Sequence, residues 1–406
     1  MQQLTNQQKL KPWMGFVLFA VVMALFLTAC SYMQVHWGVI GLLTTELLFL
    51  AIAIGYGLIF RIPLKEMFPI KKFSARDFFG SVLLVMGGLS FGIISVAVVG
   101  ILIPSSLEGG DVQALQQFMG GASGFFVTLL IMAVSPAVCE EAIHRGAILS
   151  NFRSIKKDWV IVLIMGLLFG INHMSVLRFI NTAILGACLS YIVVKKNNIL
   201  LSAMMHFGVN AFSVTTSFIS SFLTKGGMGE ASSTQLTPEL LKTALGTYLM
   251  MGVAAPFMIV VGLMLLSPQT HKKKRFLVAG IIAGVMLISS IGITFFSAMK
   301  NTLAQSTISY EVSEEDSKSS PIDFSLEKDG RITVVCVVMG AEGKYAVRVE
   351  KDDDKDFYTQ EDIPEGSIRT LTKQIDLEAG SYKFYLVNGA GSKGEKPTFS
   401  VQIQAQ

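Results

Sequence analysis

The sequence predicts a polytopic α-helical membrane protein of about nine transmembrane helices with a C-terminal, extracytoplasmic, all-β sandwich-like domain. Three observations predict it. Of 406 residues, 51% are hydrophobic and only 15% charged, against about 25% charged in ordinary globular domains. The apolar residues cluster into charge-free runs of about 20, the length a helix needs to cross a bilayer's hydrocarbon core. After Met299 the long runs give way to short segments that alternate apolar and polar residues.

The expected spans lie at about 13–35, 39–60, 79–103, 122–144, 159–173, 178–194, 199–222, 243–267 and 276–298. Basic residues mark alternate connections, as the positive-inside rule requires. Lys9 and Lys11 precede the first span. Arg61, Lys65, Lys71, Lys72 and Arg76 fill the second connection, Arg153, Lys156 and Lys157 the fourth, Lys195 and Lys196 the sixth, and Lys272 to Arg275 the eighth. The connections between these are nearly bare: the third offers Glu108 and Asp111, the fifth Arg178 and the seventh Lys225. This alternation places the N-terminus in the cytoplasm and, with an odd number of spans, the C-terminus outside. No small-residue cleavage site follows the first apolar run, so that run is expected to be a retained span, and a bacterial plasma membrane suits the pattern.

Residues 300–320 are polar and acidic and read as a linker. From Pro321 to Gln406, segments such as "RITVVCVVM", "KYAVRVE", "IRTLTKQIDL", "SYKFYLVNG" and "TFSVQIQ" are separated by turn-forming residues, the pattern of strands in a small sandwich. The domains are therefore 1–299 (membrane helices), 300–320 (linker) and 321–406 (β). Four cysteines without paired spacing give neither a disulfide framework nor a CxxC metal site. No basic-aromatic pattern or phosphate loop points to nucleic acid.

Ionisable groups inside a membrane are expensive and face protein or water. The fourth span ends in "VCEEAIHRGAI", with Glu140, Glu141, His144 and Arg145. The fifth ends in "FGINH", with Asn172 and His173. The seventh holds "HFGVN", with His206 and Asn210, and the second holds Glu46 alone. Glu141 and Arg145 stand four residues apart and can pair on one helix face, as can Glu140 and His144, and His206 and Asn210 share a face of another helix. Glu140 points about 100° away from Glu141. Three helices can thus bring a carboxylate, two imidazoles and a carboxamide together beside an ion pair. Peptide hydrolysis needs such a set: a desolvated Glu as general base, a His to orient water, and a second His with an Asn amide to hold the oxyanion. The same Glu and His groups can instead hold a divalent metal. Pro136, four residues before Glu140, is placed to open the helix there. Glu46 reads as a helix-packing carboxylate and His144 as a supporting group.

"EEAIHR" fits EExxxR, "FGINH" fits FxxxH and "HFGVN" fits HxxxN. In this order, on separate membrane helices, they resemble the CPBP family of intramembrane proteases, which includes CAAX prenyl endopeptidases and bacteriocin-processing enzymes. The resemblance covers about 120–215, expected as the protease core. It implies a peptide or membrane-protein substrate reached within the lipid. It implies Glu140 as the water-activating group, assisted by His173, with His206 and Asn210 as the oxyanion site. Glu141 and Arg145 would brace the site or help bind substrate. It leaves open a metal-free glutamate mechanism or a metallopeptidase in which Glu140, His173 and His206 hold an ion such as zinc. The resemblance does not reach the β domain. A reading from a different class is a non-catalytic immunity, sensor or scaffold protein whose β domain binds an extracytoplasmic partner.

Overall fold

The computed structural model describes residues 10–107, 124–225, 238–268, 272–309, 311–314, 318–339, 343–351, 357–363 and 368–405. Lys9, Glu108, Asp111 and His271 lie outside the described residues. The chain divides into two compact units, 1–293 and 294–406.

The first unit is helical. α1 comprises Pro12–Leu25 and Ser31–Trp37 joined by a π-helical turn, Phe26–Cys30. It turns directly into α2 (Val39–Ile59) at Gly38, whose φ of +53° is a conformation that side-chain-bearing residues rarely adopt. α3 spans Ala75–Leu102 and opens on a capping box: Ser74 accepts from the Asp77 backbone, and Asp77 accepts from that of Ser74. α4 runs through Phe125–Ile148. α5 (Asp158–Asn172), α6 (Phe179–Lys196) and α7 (Ile199–Lys225) follow. α8 comprises Pro238–Met251 and Ala255–Leu266 around a 3-10 turn, and α9 is Lys272–Asn301. Apart from α5, all of these are long and apolar enough to cross a membrane, eight in total among the described residues. The fifth of the nine expected spans, α5, has 15 residues, about 22 Å at 1.5 Å per residue. That falls short of the roughly 30 Å hydrocarbon core.

Phe126, Leu58, Ile288 and Phe296 are exposed. A helix apolar all round belongs in lipid or a protein interior, so these are lipid-facing side chains. α2 packs on α4, α5 on α6, and α3 on α8. A Cβ at Gly87 of α3 would lie 2.7 Å from Ile259 Cγ1 and 2.9 Å from the Ala255 carbonyl of α8. Only glycine permits that approach.

After the last turns of α9, the second unit is a pair of four-stranded antiparallel sheets. One has the order β1-β8-β3-β6, with β1 at Thr302–Ser309, β3 at Gly330–Met339, β6 at Ile368–Leu377 and β8 at Thr398–Ala405. The other has the order β2-β7-β4-β5, with β2 at Ile322–Leu326, β4 at Tyr345–Lys351, β5 at Phe357–Asp362 and β7 at Gly380–Asn388. Alternate residues face inward: Ile332, Val334, Cys336 and Val338 of β3 meet Val347, Val349, Phe384, Leu386, Phe399 and Val401 in one core. Residues 302–309, inside the stretch expected as linker, form β1 and pair with β8. That strand has only a thin apolar face because it lies at a sheet edge, so its composition resembles a linker.

Candidate active site

The site grows from irregularities in α4. Pro136 has no N–H to donate back along the helix, and the turn before it, Leu130–Val134, is π-helical. The segment Ser135–Glu141 is regular, and a second π segment, Ala142–Ile148, begins just after the two glutamates. Such wide turns recur at functional sites because they change which side chains align. Here every residue from Glu141 to Ser150 is buried, which no single helix face could achieve. Glu140 and His144 do not hydrogen-bond: the π segment starts between them.

Glu141 is a saturated hub. Its Oε1 accepts from Arg145 Nη1 at 2.8 Å and lies 3.1 Å from His206 Nδ1, while its Oε2 accepts from Ser202 Oγ at 2.6 Å. Arg145 also donates Nη2–H to the Gly186 carbonyl at 3.2 Å and stacks on Phe169, 4.3 Å from the ring centroid. Both Glu141 and Arg145 are almost fully buried. A buried pair of this kind persists only when its remaining lone pairs and protons are also satisfied, and here they largely are. Gly186 makes the arrangement possible, since a Cβ there would lie 2.6 Å from Phe169 Cβ.

Glu140 differs. Its Oε2 is buried with no hydrogen-bond partner, and the nearest ion partner is His206 Nε2 at 3.9 Å. His173 caps the C-terminal end of α5, and its Nδ1 is 2.9 Å from the Phe169 carbonyl. A carbonyl only accepts, so Nδ1 carries the proton, and Nε2 of the neutral ring is an acceptor. Phe169 organises the cluster. Its ring lies 4.8 Å from His173, 5.8 Å from His206 and 5.1 Å from His144, centroid to centroid, each edge-on. His144 is fully buried, and neither ring nitrogen has a partner. Asn210 is half-buried, one turn beyond His206, and makes no hydrogen bond among the described residues. Glu46 of α2 has a buried, unpartnered Oε2 and lies within electrostatic reach of Glu140.

The structure therefore brings together Glu140, Glu141, Arg145, His173 and His206, with Asn210 at the margin. Ser202, Phe169 and the burial of His144 were not foreseen. Ser202 had a visible signal: Ser202, His206 and Asn210 recur every four residues on α7. Phe169 is the F of FxxxH, four residues before His173. Among the described residues no three His, Cys, Asp or Glu groups are grouped so as to hold a metal ion. Of the expected set, Glu140 Oε2 and His206 Nε2 lie 3.9 Å apart, and among the described residues no third such group joins them.

No curated protein matches the chain. One solved structure, a carbohydrate binding module from Cellvibrio mixtus lichenase 5A in complex with cellotriose, aligns over 26% of this chain and 88% of its own, at 15% identity and a TM-score of 0.20. Residues 122–212 match the family described as type II CAAX prenyl endopeptidase Rce1-like, a stretch that contains Glu140, Glu141, Arg145, His173, Ser202, His206 and Asn210. Over this stretch the chain is accordingly similar to intramembrane endopeptidases of the Rce1-like type, and the match lies within a polytopic membrane protein.

Proposed function

We propose that the protein is an endopeptidase that hydrolyses a peptide bond of a membrane-associated or lipidated peptide or protein, using water activated by Glu140. One observation carries the reading: of two adjacent glutamates, Glu141 has its oxygens occupied, while Glu140 keeps a buried oxygen with no partner beside two histidines. A carboxylate taken from water and left unpaired costs free energy, and it is available to a proton donor that enters the site.

Water bound there donates one O–H to Glu140 and the other to Nε2 of His173, the acceptor that the Phe169 carbonyl defines. As the water oxygen attacks the scissile carbonyl carbon, its proton passes to Glu140. The carbonyl oxygen becomes an oxyanion and accepts from the Asn210 amide and from Nε2–H of His206. That donor requires His206 in its imidazolium form, since Nδ1–H faces Glu141. When the C–N bond breaks, Glu140 returns the proton to the leaving nitrogen. Glu141, Arg145 and Ser202 position His206 and do not touch the reacting atoms. The basic connections support a cytoplasmic N-terminus, and an extracytoplasmic β domain belongs to the same reading on the condition that the short α5 crosses as one of nine spans.

The test compares membranes carrying the wild-type chain with membranes carrying Glu140→Gln at matched abundance, quantifying new peptide termini by mass spectrometry. Termini found only with the wild type are expected. Identical profiles with both proteins folded would overturn the proposal and favour a binding role for the β domain.

A further inference from the structure

Away from Glu140, a cavity of about 430 Å³ opens between α3, α8 and α9. Its walls are apolar: Phe91 of α3, Ile259 and Leu263 of α8, Val278, Ala279 and Ile282 of α9. At one end stand Lys274 and Arg275. The cavity has a structural origin. α9 is tied to α8 toward its far end, where Ser290 Oγ donates to the Gly246 carbonyl at 2.7 Å and Met286 lies against Gly252. At the basic end, α8 is drawn instead against α3, because Gly80 and Gly262 let those two backbones approach. α9 consequently stands off and leaves a groove. From Lys274 to Ile282 is eight residues, so the groove runs about 12 Å inward from its cations.

We propose that this groove binds an anionic phospholipid, with its phosphate at Lys274 and Arg275 and an acyl chain laid along Ala279 and Ile282. Charge complementarity selects this occupant. The first turn of α9, Lys272 to Arg275, has no acidic residue, and it sits at the positive end of the helix dipole, where cations are unfavourable and an anion is favoured. A zwitterionic lipid fills the same apolar walls but brings its own cation to that end. The inference does not depend on the reading of the Glu140 site.

The experiment is native mass spectrometry of the detergent-solubilised full chain equilibrated with equimolar phosphatidylglycerol and phosphatidylcholine of identical acyl chains. Wild type is expected to retain phosphatidylglycerol preferentially. A cation near the membrane surface contributes a roughly fivefold preference for anionic lipid, so Lys274→Ala should lower the ratio about fivefold. Lys273→Ala, outside the groove, should leave it near the wild-type value. Ala279→Phe, which fills the groove and keeps every charge, should also abolish retention. Equal retention of the two lipids by wild type would overturn the proposal. So would equal losses in Lys273→Ala and Lys274→Ala, the signature of diffuse surface charge, or undiminished retention in Ala279→Phe.

Discussion

Replacing Arg145 by Met removes the cation from a site in which everything else stays in place. Arg145 makes one hydrogen bond to Glu141 at 2.8 Å, one to the Gly186 carbonyl at 3.2 Å, and a contact with the Phe169 face at 4.3 Å. Met occupies much of that volume but leaves Glu141 charged and buried, supported by Ser202 and His206 alone. Removing one partner of a buried pair costs about 3–5 kcal/mol. Neutralising the orphan in the double variant Glu141→Gln/Arg145→Met should recover part of this, leaving a loss of about 2 kcal/mol for weakened bonds to Ser202 and His206. The assay is the thermal unfolding midpoint of the detergent-solubilised full chain for wild type, each single variant and the double. The expected order places Arg145→Met alone lowest and the double variant above it. If the double variant instead shows the sum of the two single losses, the pair is not coupled and the hub description fails.

Ser202→Ala should weaken the Glu141 hub by about 1.5–3 kcal/mol, the range for a hydrogen bond to a charged group, and should slow cleavage mainly through kcat, since it displaces His206; equal kcat in the two proteins would contradict the positioning role. Dialysis against a chelator should leave cleavage unchanged, and activity lost on chelation and restored by zinc would place an ion among Glu140, His173 and His206. Gly87→Val should cost about 1–3 kcal/mol by overpacking the α3–α8 contact, read as a lower unfolding midpoint. Burial pushes the Cys336 thiol up to about 12, so at pH 8 maleimide should label Cys336 only after denaturation, as read by peptide mapping.

The spans and the three polar motifs were legible because each rests on a local signal: unbroken apolar runs, alternating loop charge, and ionisable residues where lipid should be. The strands from β3 onward with strong apolar alternation were legible for the same reason, whereas β1 was not, being an edge strand with little to bury. What spacing could not reveal is how α4 turns. A regular helix puts Glu140 and His144 on one face, but π turns flank the glutamates and reassign the partners, so that Glu141 meets His206 and Glu140 is left open. Spacing on one helix also could not show that Phe169 stands among three histidines and an arginine. That arrangement depends on Gly186 letting α5 close on α6, a contact between residues 17 positions apart in sequence.

The most direct measurement is a single turnover in H₂¹⁸O, with the full-length protein in excess over a substrate identified from its wild-type-only termini, followed by mass spectrometry of the new C-terminal carboxylate and of the peptide containing Glu140. Direct attack by water that Glu140 activates should put one ¹⁸O in the product carboxylate and none in the enzyme. Unlabelled product in the first turnover, with ¹⁸O appearing in Glu140, would show that Glu140 attacks the carbonyl itself and would contradict its role as the base.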